Sequence, residues 1–331
     1  MNVSVGLAGL GHALGSTIVS NVDLAKSLGM PPDWFVEHTG IEQRQICGEG
    51  EDVLSLAMSA VTAACDDASL DMHALGHETV LIHVQNGFTH FTPPAAVVLA
   101  GQLGLNGVRV MGLDGVCAEP IAALETGLML LQAGRCERVI ISAAVDFMSY
   151  VDPKDRNTAG LFGAGAGAII LSNDTQRDEE IQVRGLHWET HAQHWQMGEV
   201  EVKRQRKTDT GVDLETGFYE MQGQALYRAA LRTLPAVIDK TLAQAEWKNE
   251  DIELIVIHQP NAKMLEMGGR RLGLNLDVMP LPVRRLGNMG PASLLVNLSL
   301  ARKEGKVIPG TPVLLLAFGL GFSCGAAAIE F

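Results

Sequence analysis

One order of elements occurs twice in this chain, and that repetition constrains its fold more than any other feature. Residues 51–66 place Val53, Leu54, Leu56, Ala57, Ala60, Val61 and Ala64 at helical spacing. A buried strand, Val80-Leu-Ile-His83, comes next, then a loop that delivers Cys117 to an apolar helix, then a strand over 139–144. The same succession returns as a helix over 218–244, the strand Ile255-Val-Ile-His258, Asn288 at the head of a helix reaching Glu304, and a strand over 313–318. An approximate duplication of this kind predicts two similar α/β units packed together, with their loop–helix junctions facing one seam. Cys117 and Asn288 then hold equivalent places in the two copies. Ligands tend to bind in such a seam, at strand carboxyl ends.

Composition supports a large core. Of 331 residues, 47% are hydrophobic and 19% charged, which suits one or two compact domains and excludes disorder. A net charge of −13 argues against general nucleic-acid or membrane-surface binding. Cys47, Cys65, Cys117, Cys136 and Cys324 are scattered and odd in number, which suits a reduced, cytoplasmic chain better than a disulfide framework. None of them has zinc-site spacing. The first residues lack the basic and apolar regions of a signal peptide, and no apolar run reaches membrane-spanning length.

The remaining segments are read from periodicity and punctuation. Residues 3–8 predict a strand, with Gly9-Leu-Gly11-His-Ala-Leu-Gly15 as a turn that resembles a dinucleotide fingerprint only superficially, since no clear helix follows. A short amphipathic piece covers 21–28, and a helix starting at Pro31-Pro-Asp-Trp34 ends at Thr39-Gly40-Ile41. Strands are expected at 79–84, 108–113, 138–144, 251–258, 311–318 and 325–331, and helices at 94–103 and 261–272. A short segment falls at 281–286, and loops at 85–94 and 149–158. Glycines within 162–171 suggest close backbone approach rather than phosphate binding. Residues 179–216 are the most charged and least regular, and predict a partly exposed lid or excursion. This region holds His187, His191 and His194, without an accompanying carboxylate or cysteine set, so no metal site is expected. The basic run at 203–207 reads as a solvated face.

The chemistry centres on Cys117. Pro120 suits a first helical turn, and Ile121, Leu124, Leu128 and Leu131 mark the buried face of the helix that follows. A thiol at a helix N-terminus is expected to lean toward thiolate, although a free Cys is often just a small buried hydrophobe. Taken singly, His258 reads as a satisfied core histidine and Asn288 as a turn residue. All three in matching loops point to a thiol enzyme. Gly319-Leu-Gly321 would let backbone N–H groups approach a thioester oxygen beside the Cys117 amide, a role compatible with a tight turn.

Over nearly its whole length the chain resembles the β-ketoacyl-acyl carrier protein synthase III family of the thiolase superfamily. The resemblance is carried by Trp34 with His38-Thr-Gly-Ile-Glu-Gln-Arg44, the Cys117 loop, Asp152-Pro-Lys-Asp-Arg156 and Phe162-Gly-Ala-Gly-Ala-Gly167. Further on it is carried by His258-Gln-Pro-Asn261, Gly287-Asn288 and Phe318-Gly-Leu-Gly321. It implies a thiolase-like, five-layered α-β-α-β-α fold of two duplicated halves, 1–175 with the nucleophile and 176–331 with the His and Asn, and a homodimer. It implies that Cys117 takes an acyl group from a CoA or acyl-carrier-protein thioester, with no bound cofactor. His258 and Asn288 then stabilise charge on the second substrate, and Leu320 N–H joins that of Cys117 in an oxyanion hole. Trp34, His38, Arg156, Asn261 and Lys263 are the implied CoA contacts.

Several positions depart from the family pattern. His38 replaces an Arg that helps hold the adenine, Ala164 replaces an Asp, Glu119 stands beside the nucleophile, and 187–216 diverge. These changes point to a specialised relative in polyketide or other secondary metabolism. The expected reaction is decarboxylative Claisen condensation of the Cys117-bound acyl group with a malonyl-type thioester. The alternatives are acyl transfer to an oxygen, nitrogen or carrier-protein thiol without decarboxylation, or a non-catalytic partner subunit.

Overall fold

The computed structural model describes residues 3–86 and 90–331. In chain order the first part comprises β1 (Val3–Leu14), β2 (Thr17–Ser20), α1 (Asn21–Leu28), α2 (Asp33–Thr39), β3 (Gln43–Ile46), α3 (Val53–Asp67), β4 (Thr79–Asn86), α4 (Ala95–Gln102), β5 (Arg109–Leu113), α5 (Glu119–Gln132), β6 (Arg138–Val145) and β7 (Gly165–Ser172). The second part comprises β8 (Glu179–Thr190), the short strands β9 (Gly198–Glu199), β10 (Val202–Lys207), β11 (Val212–Thr216) and β12 (Glu220–Met221), then α6 (Gly223–Ala245), β13 (Leu254–Ile257), α7 (Ala262–Arg271), α8 (Val283–Leu286), α9 (Ala292–Lys303), β14 (Pro312–Gly319) and β15 (Ser323–Glu330).

Nine strands form one sheet in the order β13-β14-β15-β8-β1-β7-β6-β4-β5. The pairing pattern repeats about the β1–β8 junction. β4 and β6 are parallel, and β6–β7 and β7–β1 antiparallel; likewise β13 and β14 are parallel, and β14–β15 and β15–β8 antiparallel.

Alternation along the strands builds the layers, because successive side chains point to opposite faces. Val80, Ile82, Leu254 and Val256 join α5 and α9 in one cluster between the two parts of the sheet. Leu81 faces α3 and α4 in a second cluster, and Ile255 and Ile257 face α6 and α7 in a third. The result is the expected five-layered α-β-α-β-α arrangement. Ile121, Leu124, Leu128 and Leu131 of α5 are all buried in the middle layer, each contributing about 1.5–3 kcal/mol from removal of apolar surface from water.

Two expectations fail for packing reasons. The glycines at 9–15 do not form a turn: β1 continues to Leu14, and a Cβ on Gly9 or Gly11 would strike the Ala64 or Ala60 carbonyl of α3. Those glycines let a helix lie directly on the strand, which accounts for the run without a nucleotide. Likewise, 179–190 is no excursion but β8, a central strand between β15 and β1. Its Gly185 sits where a Cβ would strike the Thr241 carbonyl of α6. The irregular part begins only after Thr190, with short hairpins in which β10 and β11 are exposed throughout. Residues 218–221, expected in the long helix, instead include β12, and α6 starts at Gly223. The expected loop over 85–94 begins within β4, and its residues 87–89 lie outside the described residues. Among the described residues no helix is long and apolar enough to cross a membrane.

Candidate active site

Cys117 follows β5 through Asp114-Gly-Val116 and lies two residues ahead of α5, whose first residue is Glu119. It is buried, and burial pushes the thiol up to about 12, with its own backbone amide pulling weakly the other way. Burial therefore favours a neutral thiol, against the lean toward thiolate expected from sequence. The end of β14 lies on it: a Cβ added to Gly319 would be 2.7 Å from Cys117 Cβ and 3.1 Å from its Sγ and its backbone N. Only glycine leaves room for that approach. Gly321, at φ 105°, supplies the left-handed conformation that turns the chain behind Leu320.

His258 extends β13 by one residue, its amide donating to the Leu316 carbonyl at 2.8 Å. Its ring packs edge-on against Phe318 at 5.7 Å, one residue before the glycine that abuts Cys117. Nδ1 is 3.1 Å from the Gly290 carbonyl oxygen. A carbonyl only accepts, so Nδ1 carries the proton and Nε2 of the neutral ring is a bare acceptor. Burial lowers the imidazole to about 4, so the ring is neutral at pH 7.

Asn288 is fixed through its backbone, whose amide donates to Leu161 O at 2.7 Å and whose carbonyl accepts from Gly163 N at 3.0 Å. Gly163 is another enforced close approach, since a Cβ there would strike the Leu286 carbonyl. The side-chain Oδ1 accepts from Gly290 N at 2.9 Å, which leaves Nδ2 as the donor of the carboxamide. Gly290 thus orients both His258 and Asn288, through its carbonyl and its amide. Three contacts lead from Cys117 to Asn288: Cys117 on Gly319, Phe318 on His258, and His258 through Gly290 to Asn288.

Beside Cys117 opens a largely apolar chamber of about 270 Å³, lined by Val116, Phe147, Tyr150, Trp195, Val200, Tyr219 and Leu320 among others. Phe147 and Tyr219 form one wall, with Phe162 packed against both and the three rings 5.1–5.5 Å apart. Burial raises the Tyr219 phenol, which stays protonated. The sequence reading missed this wall, because isolated aromatics outside a periodic segment carry no signal of where they converge. Glu119, noted for standing beside the nucleophile, folds back over Gly115. Burial and then the neighbouring Asp114 raise its carboxyl.

The expected CoA contacts fall on one surface. The His38 ring stacks on Trp34 at 4.2 Å, with its Nδ1 2.8 Å from Trp34 O, and the Arg156 guanidinium lies 5.7 Å from the same indole. The end of α2 packs on the start of α7, where a Cβ on Gly40 would be 2.8 Å from Ala262 Cβ and 3.4 Å from Lys263 N. Asn261 is partly committed as the N-cap of α7, its Oδ1 accepting from Met264 N at 2.7 Å.

The chain is similar to known proteins. The family described as 3-oxoacyl-[acyl-carrier-protein (ACP)] synthase III matches residues 111–192, and its C-terminal counterpart matches residues 242–331. Beta-ketoacyl-[acyl-carrier-protein] synthase III of Bartonella henselae is 30% identical over 323 residues, covering 98% of each chain. The protein of the same name from Rhizorhabdus wittichii is 31% identical over 324 residues, again 98% of each. The crystal structure of 3-oxoacyl-[acyl-carrier-protein] synthase III from Aquifex aeolicus VF5 superposes with a TM-score of 0.87 at 25% identity, covering 99% of this chain and 100% of that one.

Proposed function

The chain belongs to the β-ketoacyl-[acyl-carrier-protein] synthase III family, and we propose that it is a condensing enzyme in which Cys117, His258 and Asn288 carry the reaction. The carrying observation is that one residue, Gly290, orients both the imidazole and the carboxamide while Gly319 lies against the thiol.

In the first half-reaction the bare Nε2 of His258 takes the Cys117 proton as Sγ attacks an acyl thioester, and the departing thiolate is protonated from solvent. Backbone N–H groups of Cys117 and Leu320 hold the carbonyl oxygen as it gains charge. A malonyl-type thioester then loses CO₂. Its enolate oxygen is stabilised by Asn288 Nδ2 and by the imidazolium now present at His258, whose proton is held by that negative charge. The enolate carbon attacks the acyl group, and Cys117 leaves as thiolate and recovers its proton from His258. No bound cofactor is required. The apolar chamber takes the acyl chain, and the Trp34, His38 and Arg156 cluster, with Asn261 and Lys263 beside it, takes the CoA or carrier-protein arm.

We also propose that the chain works as two halves, 1–175 and 176–331, in a cytoplasmic homodimer. β5 is the last strand of the sheet, and beside it Met111 and Val97 are exposed apolar side chains, which favours pairing with a second copy. The departures at His38, Ala164 and Glu119 support a place in polyketide or related secondary metabolism.

Intact-protein mass spectrometry with a panel of acyl-CoA and acyl-carrier thioesters tests the first step, and CO₂ release from labelled malonyl thioester tests the second. Acylation of Cys117 with CO₂ release is expected. Acyl transfer without CO₂ would leave the non-decarboxylating reaction in its place, and a Cys117 that no thioester acylates would leave a non-catalytic subunit.

A further inference from the structure

The chain places a second group of ligating atoms on the far side of the turn that supports Cys117. Glu189 ends the inner part of β8, His191 follows that strand, and Cys324 sits opposite Glu189 in the β8–β15 register. One ligand atom from each, a carboxylate oxygen, an imidazole nitrogen and a sulfur, lies within 4.8 Å of the other two. We propose that Glu189, His191 and Cys324 bind a divalent transition metal, zinc by preference, at a site separate from the condensing chemistry. The linear spacing of His187, His191 and His194 gave no such set, because its carboxylate lies between two of the histidines and its thiol comes from a strand more than a hundred residues later.

Three observations carry the proposal. The donor set of imidazole, carboxylate and thiolate is one that Zn²⁺ accepts in tetrahedral geometry. One carboxylate and one thiolate offset the charge of a dication, with the Lys240 ammonium remaining beside the carboxylate, and the thiol proton leaves to solvent as the S–metal bond forms. The carboxylate is also already oriented. Its Oε1 is 2.9 Å from His191 Nε2, while its Oε2 is held by His187 Nε2 at 3.1 Å and by Lys240 Nζ at 3.3 Å. One carboxylate oxygen is thus held from behind, as an outer support holds a ligating carboxylate, and the other pairs with His191 Nε2, a contact that the ion would replace as that nitrogen gives up its proton. The cavity of about 300 Å³ that His191 and His194 line can supply water for a fourth position.

Binding here ties the end of β8 to the start of β15. The His191 amide donates to Phe322 O at 2.7 Å, and Thr190 and Ser323 share a hydroxyl hydrogen bond at 2.9 Å. Phe322 closes the Gly319–Gly321 turn, so the ion would stiffen the backbone that abuts Cys117.

The test is titration of chelator-treated protein with Co²⁺, followed by displacement with Zn²⁺. One equivalent with tetrahedral visible bands and a thiolate-to-cobalt charge-transfer band is expected, both retained in Cys117→Ala. Cys324→Ser should lose the charge-transfer band, and His191→Gln, at a partly exposed position, should weaken binding by more than about tenfold. Zn²⁺ should raise the thermal midpoint of the parent and not that of His191→Gln. No tetrahedral spectrum, or one unchanged in both Cys324→Ser and His191→Gln, overturns the site. A spectrum lost with Cys117→Ala assigns the metal to the condensing centre instead.

Discussion

The Nδ1 of His258 lies 3.1 Å from the carbonyl oxygen of Gly290, and this bond decides which nitrogen of the ring is free to act. Because the same glycine donates its amide to Asn288 Oδ1, two side chains delivered by different loops share one backbone reference point.

Replacing Gly290 tests that arrangement. Its φ of 45° is left-handed, and a Cβ would meet Phe147 Cε2 at 3.0 Å. Gly290→Ala is expected to cost about 1–3 kcal/mol in stability, read as a lower urea midpoint, and to lower kcat more than it raises KM.

At Gly319 the clash is with the nucleophile itself. Gly319→Ala should displace Cys117 and slow its acylation by about a hundredfold while the fold persists. Intact mass measured against time follows the acylation, and circular dichroism checks the fold.

Burial makes Cys117 a poor nucleophile until a base takes its proton. Its alkylation by iodoacetamide is expected to keep accelerating from pH 7 to pH 10. A rate already level at pH 7 would mean that the thiolate is the resting form.

His12, His83 and His258 are all lowered to about 4 by burial, each from an ordinary value of 6.5. In that window the unfolded chain binds more protons, so the stability these groups contribute is complete above pH 6.5 and is lost as pH falls toward 4. Urea midpoints at pH 7.5, 5.5 and 4.5 should fall in that order. Replacing His83, whose ring is held by Ser142 and Gln85, with an uncharged residue of similar volume should flatten the trend.

Asn288→Ala separates the two enzymatic readings. Loss of Nδ2 removes a donor aimed at the enolate, so condensation should fall by about 10²–10³-fold, while simple acyl transfer should fall much less. Phe147→Ala should enlarge the chamber and move the preferred acyl chain toward greater length, read from competition between thioesters.

Much of the architecture was legible because buried strands and helices impose periods of 2 and 3.6 on apolar residues. Leu81 and Val256 alternate as their layers require, and α5 keeps its stripe from Ile121 to Leu131. β8 was not legible. Its charged residues and histidines read as irregularity, whereas the structure puts most of them at half-buried positions of a central strand whose Gly185 is pressed by α6. Gly9 and Gly11 misled because a sequence cannot distinguish a glycine that turns the chain from one that admits a neighbouring helix. Cys117, His258 and Asn288 were singled out because Cys117 and His258 each follow a strand and Cys117 and Asn288 each precede a buried helix in a repeated order. The packing of Phe147 and Tyr219 with Phe162, and the grouping of Glu189 with Cys324, arise only when distant segments meet.

The pairing of β1 with β8, from Val3 opposite Val183 to Leu7 opposite Glu179, bears on how substrates enter. Backbone hydrogen bonds run unbroken across the place where a clamshell would need its hinge. Opening by domain rotation would tear a continuous ladder, whereas the exposed hairpin of β10 and β11 borders the chamber at Val202 and Thr216 and can shift without breaking the central sheet. Turnover should therefore respond to tethering that hairpin, as with a latch, and be indifferent to cross-links that staple β1 to β8.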